Sequence, residues 1–243
     1  MTAIVDHPVE TAPTTLKSVV VAKLRHAILS GQYNPGDRLN EAKLAHEFNT
    51  SRIPIREALI QLQESGLLMN HEGRGLCVTK LNEEDIRRIN SVRLIMETEA
   101  VWLARKNMTP QLAAQLEDVL GRMEAAHDLL VEVAPMDIEF HRLIWAASGN
   151  PYLARTLDSL VAQLFAHKTL EHQVFAKTAP HKAWEEFRVW RVAHHRELFD
   201  VLVGKSDMDP EIAVLAHLRA GFDNPDHFSS LSLRHPDKAT KAP

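Results

Sequence analysis

The stretch Asn49-Thr-Ser-Arg-Ile-Pro-Ile-Arg-Glu-Ala-Leu59 restricts the fold of this chain more than any other. A helical pattern from Glu41 to Phe48 breaks at Asn49-Thr50. A second begins after Ser51, whose hydroxyl is suited to capping a helix N-terminus. Pro54 falls in the first turn, where its missing N–H costs nothing. Ile55, Ala58, Leu59 and Leu62 share one face, and Arg52 and Arg56 lie one turn apart on the other. Two helices joined by so short a break bury their apolar faces together and leave both guanidinium groups outside. That is the geometry of a helix-turn-helix that reads DNA.

The flanking chain agrees. Thr15 to Ser30 reads as a helix with Val20, Leu24, Ala27 and Ile28 on its buried face, stopped by Gly31. The turn Asn34-Pro-Gly-Asp37 leads into Arg38-Leu39, a possible short strand. After the second helix ends near Ser65-Gly66, strand-like runs at Leu67–His71 and Leu76–Thr79 flank Glu72-Gly-Arg-Gly75. A glycine-rich hairpin tip carrying one arginine has the character of a wing. Surface arginine pairs are common on solvated helices; it is the helix–turn–helix–hairpin order that gives Arg52 and Arg56 their meaning.

Charge is distributed to match. The chain carries a net −4, yet residues 15–80 hold nine Lys/Arg against six Asp/Glu, so the remainder sums to −7. A mildly basic module on an acidic body suits local nucleic-acid contact rather than a general coat. No run approaches the roughly 18 apolar residues of a membrane span, and the Pro/Thr-rich N-terminus lacks the pattern of an export signal. The single cysteine, Cys77, excludes an internal disulfide and fits a reducing cytoplasm. We expect residues 1–14 and 224–243 to be flexible tails.

The run Ile28-Leu-Ser-Gly-Gln-Tyr-Asn-Pro-Gly-Asp-Arg-Leu-Asn-Glu41 resembles the pattern of GntR-type bacterial transcriptional regulators. So do Leu44-Ala45, Ser51-Arg52, Pro54, Arg56-Glu-Ala-Leu59, Leu62, Gly66-Leu67 and Gly73-Arg-Gly75. The resemblance covers residues 15–80 almost without gaps. It implies a winged-helix domain that binds double-stranded DNA as a homodimer on a palindromic operator. It also implies DNA contacts from Lys43, Ser51, Arg52, Ile53 and Arg56, with Gly73 and Arg74 on a minor-groove wing.

Beyond Thr79 the pattern is all helical, with six helices expected near 83–106, 109–131, 135–148, 151–171, 180–203 and 210–222 and a loop over Gln173–Ala179. Thr109-Pro110, Asn150-Pro151 and Asp209-Pro210 each set a capping residue before a proline at the first helical position. Ten of the 14 histidines lie beyond residue 120. Arg93 falls on the apolar stripe of the first of these helices, with Glu97 one turn later. The two read either as an internal ion pair or as an anchor for a ligand carboxylate. Asp137 and His141, at i and i+4, read either as a surface hydrogen bond or as two ligands of one metal. Periodicity leaves open which of His194 and His195 faces inward.

Asp137-x-x-Phe-His141, Ser148-Gly-Asn-Pro151, His195-Arg-x-Leu198 and Ala216-His217-Leu218 together resemble the helical FCD effector domain of FadR-type GntR regulators. The helix count is similar to the shorter, vanillate-regulator-like group, and Arg93/Glu97 fall on the family's Arg-x-x-x-Glu pattern. The resemblance implies that Asp137, His141, His195 and His217 hold a divalent metal, zinc first, with nickel or manganese as alternatives. It assigns residues 81–223 to an effector and dimerisation domain. The function it implies is a cytoplasmic, metabolite-responsive regulator, most often a repressor, associated with the nucleoid when on its operator. A small organic acid would act at the metal and at Arg93 and Glu97. Two rival readings of the Asp/His set are a metal-dependent enzyme, for which no positioned base or nucleophile motif is visible, and a direct metal sensor. His167, His172 and His181 could line the same cavity or the surface.

Overall fold

A computed structural model describes residues 15–126, 133–178 and 181–220. The expected tails, and the ends assigned to the helices at 109–131 and 210–222, lie outside the described residues. So do the side chains of His172 and His181.

Residues 15–78 form a winged helix. Helix α1 (Leu16–Leu29) is capped by Thr15, whose hydroxyl accepts from the Ser18 N–H. Helix α2 (Glu41–Glu47) is capped by Asn40. Asn49 then takes φ 48°, a left-handed conformation that asparagine tolerates, and turns the chain into α3 (Arg52–Glu64). Strands β1 (Leu68–His71) and β2 (Gly75–Val78) pair antiparallel, Leu68 opposite Val78 and His71 opposite Gly75. Gly73 and Gly75 both have positive φ at the hairpin tip. Arg38 bridges Cys77, so the expected strand at Arg38-Leu39 is a single bridge on the sheet edge.

Six helices follow among the described residues: α4 (Glu83–Lys106), α5 (Pro110–Ala125), α6 (Ala134–Ala147), α7 (Pro151–Thr178), α8 (His181–Leu202) and α9 (Pro210–Ala220). Asn82 and Asp85 close a reciprocal capping box at the start of α4. Thr109 caps α5 through the Leu112 N–H, and Asn150 accepts from Tyr152 and Leu153 at the start of α7. The architecture is therefore mainly α, a winged helix-turn-helix followed by a helical bundle.

Two local expectations are corrected. Helix α7 runs to Thr178, through the stretch expected to be a loop. Gln173–Ala179 contains neither Gly nor Pro, so nothing in it breaks the helix before Pro180. Ser51 stands at the N-cap of α3 in extended conformation but makes no capping hydrogen bond. The reason is Pro54: it occupies the third helical position and lacks the N–H that a capping hydroxyl would bind.

Helix α7 joins the two parts. Its Ala162 and Ala166 belong to the core of the winged helix, packed with residues such as Leu24, Ile28 and Leu62. The Ser159 hydroxyl donates to the Ser65 carbonyl (3.0 Å) and the Thr169 hydroxyl to the Leu29 carbonyl (2.9 Å). Gly66, at φ +75°, lets the chain pass so close that a Cβ would stand 2.5 Å from Gln163 Nε2. Asp158 binds Arg25 of α1 at 3.0 Å and Arg142 of α6 at 2.6 Å. The opposite face of α7 puts Leu157, Val161 and Phe165 against Ala100 and Trp145 of the bundle.

Candidate functional site

Among the described residues the sequence-based candidates gather in two places: the outer face of α3 with the wing, and a buried polar cluster in the bundle. On the outer face Lys43, Ser51, Arg52, Ile53, Arg56, Gly73 and Arg74 are all exposed. Ile53 is 70% exposed, although it is a large apolar residue at the head of α3. Arg56 is held to Glu41 of α2, with Nη2 2.9 Å from Oε2 and Nε 3.2 Å from both carboxylate oxygens. That contact was not anticipated from the sequence. It spans the helix-turn-helix and steadies the guanidinium fork above the surface.

The buried cluster draws on five helices. Asp137 and His141 project from α6, His195 from α8 and His217 from α9, and one ligand atom of each lies within 4.8 Å of all the others. All four are buried. His195 is the inward member of its pair. His194 is half-buried, with its Nδ1 2.8 Å from the Trp190 carbonyl. Arg93 of α4 and Phe165 and Lys168 of α7 also line the cavity between these groups, as does Arg191 of α8. The cavity measures about 10 Å³, room for a water or an ion but not for an organic acid.

Lone pairs converge in this cavity. His195 Nδ1 lies 2.9 Å from the Arg191 carbonyl, which can only accept, so Nδ1 carries the proton. The Nε2 of the neutral ring then faces Asp137 Oδ1 at 3.0 Å, acceptor against acceptor. His141 Nε2 stands 3.3 Å from the same oxygen and 2.9 Å from His217 Nε2. Such a set is stable only with a proton or a cation at its centre. Three imidazoles and a carboxylate are the donors that zinc and similar divalent metals prefer, so the residues fit a metal.

The surroundings tune the set. Burial disfavours charge on Asp137, but Arg191, bonded to its Oδ2, and His195 outweigh burial and hold the carboxyl well below the usual range. Glu97 is likewise buried, yet Arg93 (2.7 Å) and His141 hold it at about 2. Its Oε2 is 3.1 Å from His141 Nδ1. That places Glu97 behind His141, at ion-pair distance from the ring edge that faces away from the other three donors. Against burial, Glu97 and Asp137 raise the pKa of His141. Burial lowers that of His195 despite Asp137, and burial with His195 and His141 takes His217 well down. Burial and the nearby Arg191 push Lys168 down to about 7.

These shifts give stability a definite pH dependence. In the unfolded chain histidine titrates near 6.5, whereas folded His195 and His217 protonate only at lower pH. The unfolded state therefore binds more protons below about pH 6.5, and stability falls with acidification. His141 has the opposite sign: its contribution is full below 6.5 and is lost as pH rises through its raised value. His195 and His217 outnumber His141, and Lys168, protonated in the unfolded chain but in the folded one only below about 7, adds to the loss on acidification. Glu97 adds a second loss as pH falls from 4.5 toward about 2. The chelator-treated protein should thus unfold at lower urea at about pH 5.5 than at about pH 7.5; a rising midpoint would contradict the arrangement.

Of the sequence-based candidates, Arg93 lines the cavity, while Glu97 is set behind His141 and His167 is not among the walls. Lys168 and Arg191 were missed. Arg191 had a signal, since it precedes His195 by one helical turn. Lys168 had none until α7 was placed.

Comparison with known proteins agrees with both parts. Residues 16–78 match the family described as bacterial regulatory proteins, gntR family, and residues 88–220 match the FCD domain. The Nta operon transcriptional regulator of Aminobacter aminovorans is 28% identical over 198 residues, 80% of this chain and 87% of that protein. The gluconate operon transcriptional repressor of Bacillus licheniformis is 29% identical over 207 residues, 84% of this chain and 81% of the repressor. Among solved structures, E. coli McbR/YncC superposes with a TM-score of 0.70 at 23% identity, covering 84% of this chain and 94% of that one. Among the described residues, no helix is long and apolar enough to cross a membrane.

Proposed function

The chain belongs to the gntR family of bacterial regulatory proteins and carries an FCD domain, and we propose on that basis that it is a homodimeric, metabolite-responsive repressor. The DNA-binding regulator is the family's function; the dimer, the palindromic operator, the sign of regulation and the effector are our reading. Lys43, Ser51, Arg52, Ile53, Arg56, Gly73 and Arg74 would meet the operator, Arg52 and Arg56 at base edges in the major groove. Asp137, His141, His195 and His217 would hold a divalent metal, zinc first. The observation that carries the proposal is the convergence of those four donors beside Arg93, Lys168 and Arg191 in one buried cavity.

Bound metal would supply a fixed positive charge against which a carboxylate can be anchored. The chain's own cations do the remaining recognition: Arg93 and Arg191 present planar forks suited to carboxylate, and Lys168 a point charge. A cavity of about 10 Å³ cannot admit an organic acid without moving its walls. Two of those walls lead to the winged helix. Helix α6 carries Asp137 and His141, and the adjacent Arg142 is tied through Asp158 to Arg25. Helix α7 presents Phe165 and Lys168 to the cavity and Ala162 and Ala166 to the core of the winged helix. Ligand entry would therefore shift the population of DNA-competent arrangements, reciprocally with operator binding.

Native mass spectrometry of the purified protein, then operator titration at fixed salt with any acid it retains, tests the reading. Operator affinity should fall when that acid is added. In Asp158→Asn the metal and acid stoichiometries should persist, while the coupling shrinks by about 0.5–2 kcal/mol. An acid that binds without changing operator affinity would refute the switch. The small cavity favours one alternative, a direct metal sensor, in which metal alone changes operator affinity and no acid is retained.

A further inference from the structure

Helix α4 turns one face to the cavity through Arg93, and among the described residues nothing covers the opposite face. Along that face Arg88, Val92, Ile95, Glu99 and Trp102 follow one another at intervals of four, three, four and three residues, all exposed. Val92, Ile95 and Trp102 are 43%, 41% and 37% exposed, three apolar residues on one face of a 24-residue helix, with Glu99 between the last two. The alternation is the heptad spacing with which helices pack side by side. Solvent-facing helix positions are ordinarily polar, so the stripe points to a helix that covers it.

We propose that this stripe is the dimer contact and that its occupant is the same face of α4 in a second copy, running antiparallel. The inference rests on the homodimer reading above and specifies its surface. A two-fold axis midway between Val92 and Ile95 sets Val92 of each copy opposite Ile95 of the other. The same axis brings Arg88 of each copy opposite Glu99 of the other, so an apolar centre is flanked by two symmetric ion pairs. A parallel arrangement instead faces Arg88 with Arg88 and Glu99 with Glu99, and is rejected by its own charges. Glu99 has no partner within the described protomer. Arg88 is held only by Glu84 one turn back, an exposed contact that it can share or exchange. Since Arg93 lies on the same helix, one residue from Val92, the surface is a single helix diameter from the cavity.

Sedimentation of the full chain over a wide concentration range tests the surface. The native protein should be a dimer, and V92E/I95E, which sets four carboxylates at the centre, should be monomeric with unchanged helical circular dichroism and metal content. R88E should weaken the dimer by about ten-fold or more, because two attractive pairs become repulsive, and the charge exchange R88E/E99R should restore it. A double exchange weaker than either single change overturns the register. A V92E/I95E protein that stays dimeric, or one monomerised instead by Trp190→Glu on α8, overturns the surface while leaving the dimer intact. A native protein that is monomeric throughout overturns the homodimer reading itself.

Discussion

Asp137→Ala should destabilise the protein by about 3–5 kcal/mol, the cost of stripping the carboxylate partner from a buried ion. Asp137 and Arg191 are each 3% exposed at the side chain, and the guanidinium is bonded directly to Oδ2. In a domain whose whole stability is about 5–15 kcal/mol, that loss is large. Urea unfolding in the presence of chelator isolates this effect, because no metal then contributes. Asp137→Asn keeps the shape and an acceptor for Arg191 but loses the charge, and should fall between the native protein and the alanine variant. Without chelator a further loss should appear: metal content falls well below one per chain, and the stabilisation that metal gives the folded state disappears with it. Equal urea midpoints for the native and Asp137→Ala proteins in chelator would show that the pair is not buried as described.

Operator binding should suffer most from the two arginines of α3. Arg52→Ala and Arg56→Ala should each lower affinity for the operator by about ten- to a hundred-fold, the range of one bidentate contact to a base edge. The loss should be small on unrelated DNA, since base readout carries the sequence information. Lys43→Ala should behave differently, weakening all sequences alike and flattening the salt dependence by about one counterion. Arg56 enters the contact from a defined position, because Glu41 already holds its fork at 2.9–3.2 Å. Anisotropy titrations of operator and scrambled duplexes at fixed salt distinguish these cases. An Arg52→Ala/Arg56→Ala protein that still prefers its operator would remove α3 as the reading helix.

Much of the architecture was legible because its signals are local. Gly31, Asn49 and Gly66 sit where the backbone must turn, all with positive φ. Thr109-Pro110 and Asn150-Pro151 marked helix starts that the structure keeps, because a capping oxygen needs only the N–H groups two or three residues on. Ser51 shows the limit of such reading. Its type was right for a cap, but Pro54 had removed the N–H it would have bound. The extension of α7 to Thr178 shows another, since a stretch without Gly or Pro can continue a helix for as far as its surroundings hold it.

The buried cluster was only partly legible. Asp137 and His141 share a helix face by spacing alone, and Arg93–Glu97 is likewise an i, i+4 pair that the structure closes at 2.7 Å. Their meeting with His195 and His217 rested on family resemblance, since helical periodicity fitted either His194 or His195. The sequence by itself determined the winged helix, the bundle and the faces of individual helices, because caps, turns and 3.6-residue periodicity act over a few residues. Only the tertiary structure decided that Arg191 faces Asp137, that Glu97 stands behind His141, and that Lys168 and Ala166 turn opposite faces of α7 to the cavity and to the winged helix. Those pairings depend on how helices far apart in sequence pack, and burial then sets the charge of every group they bring together.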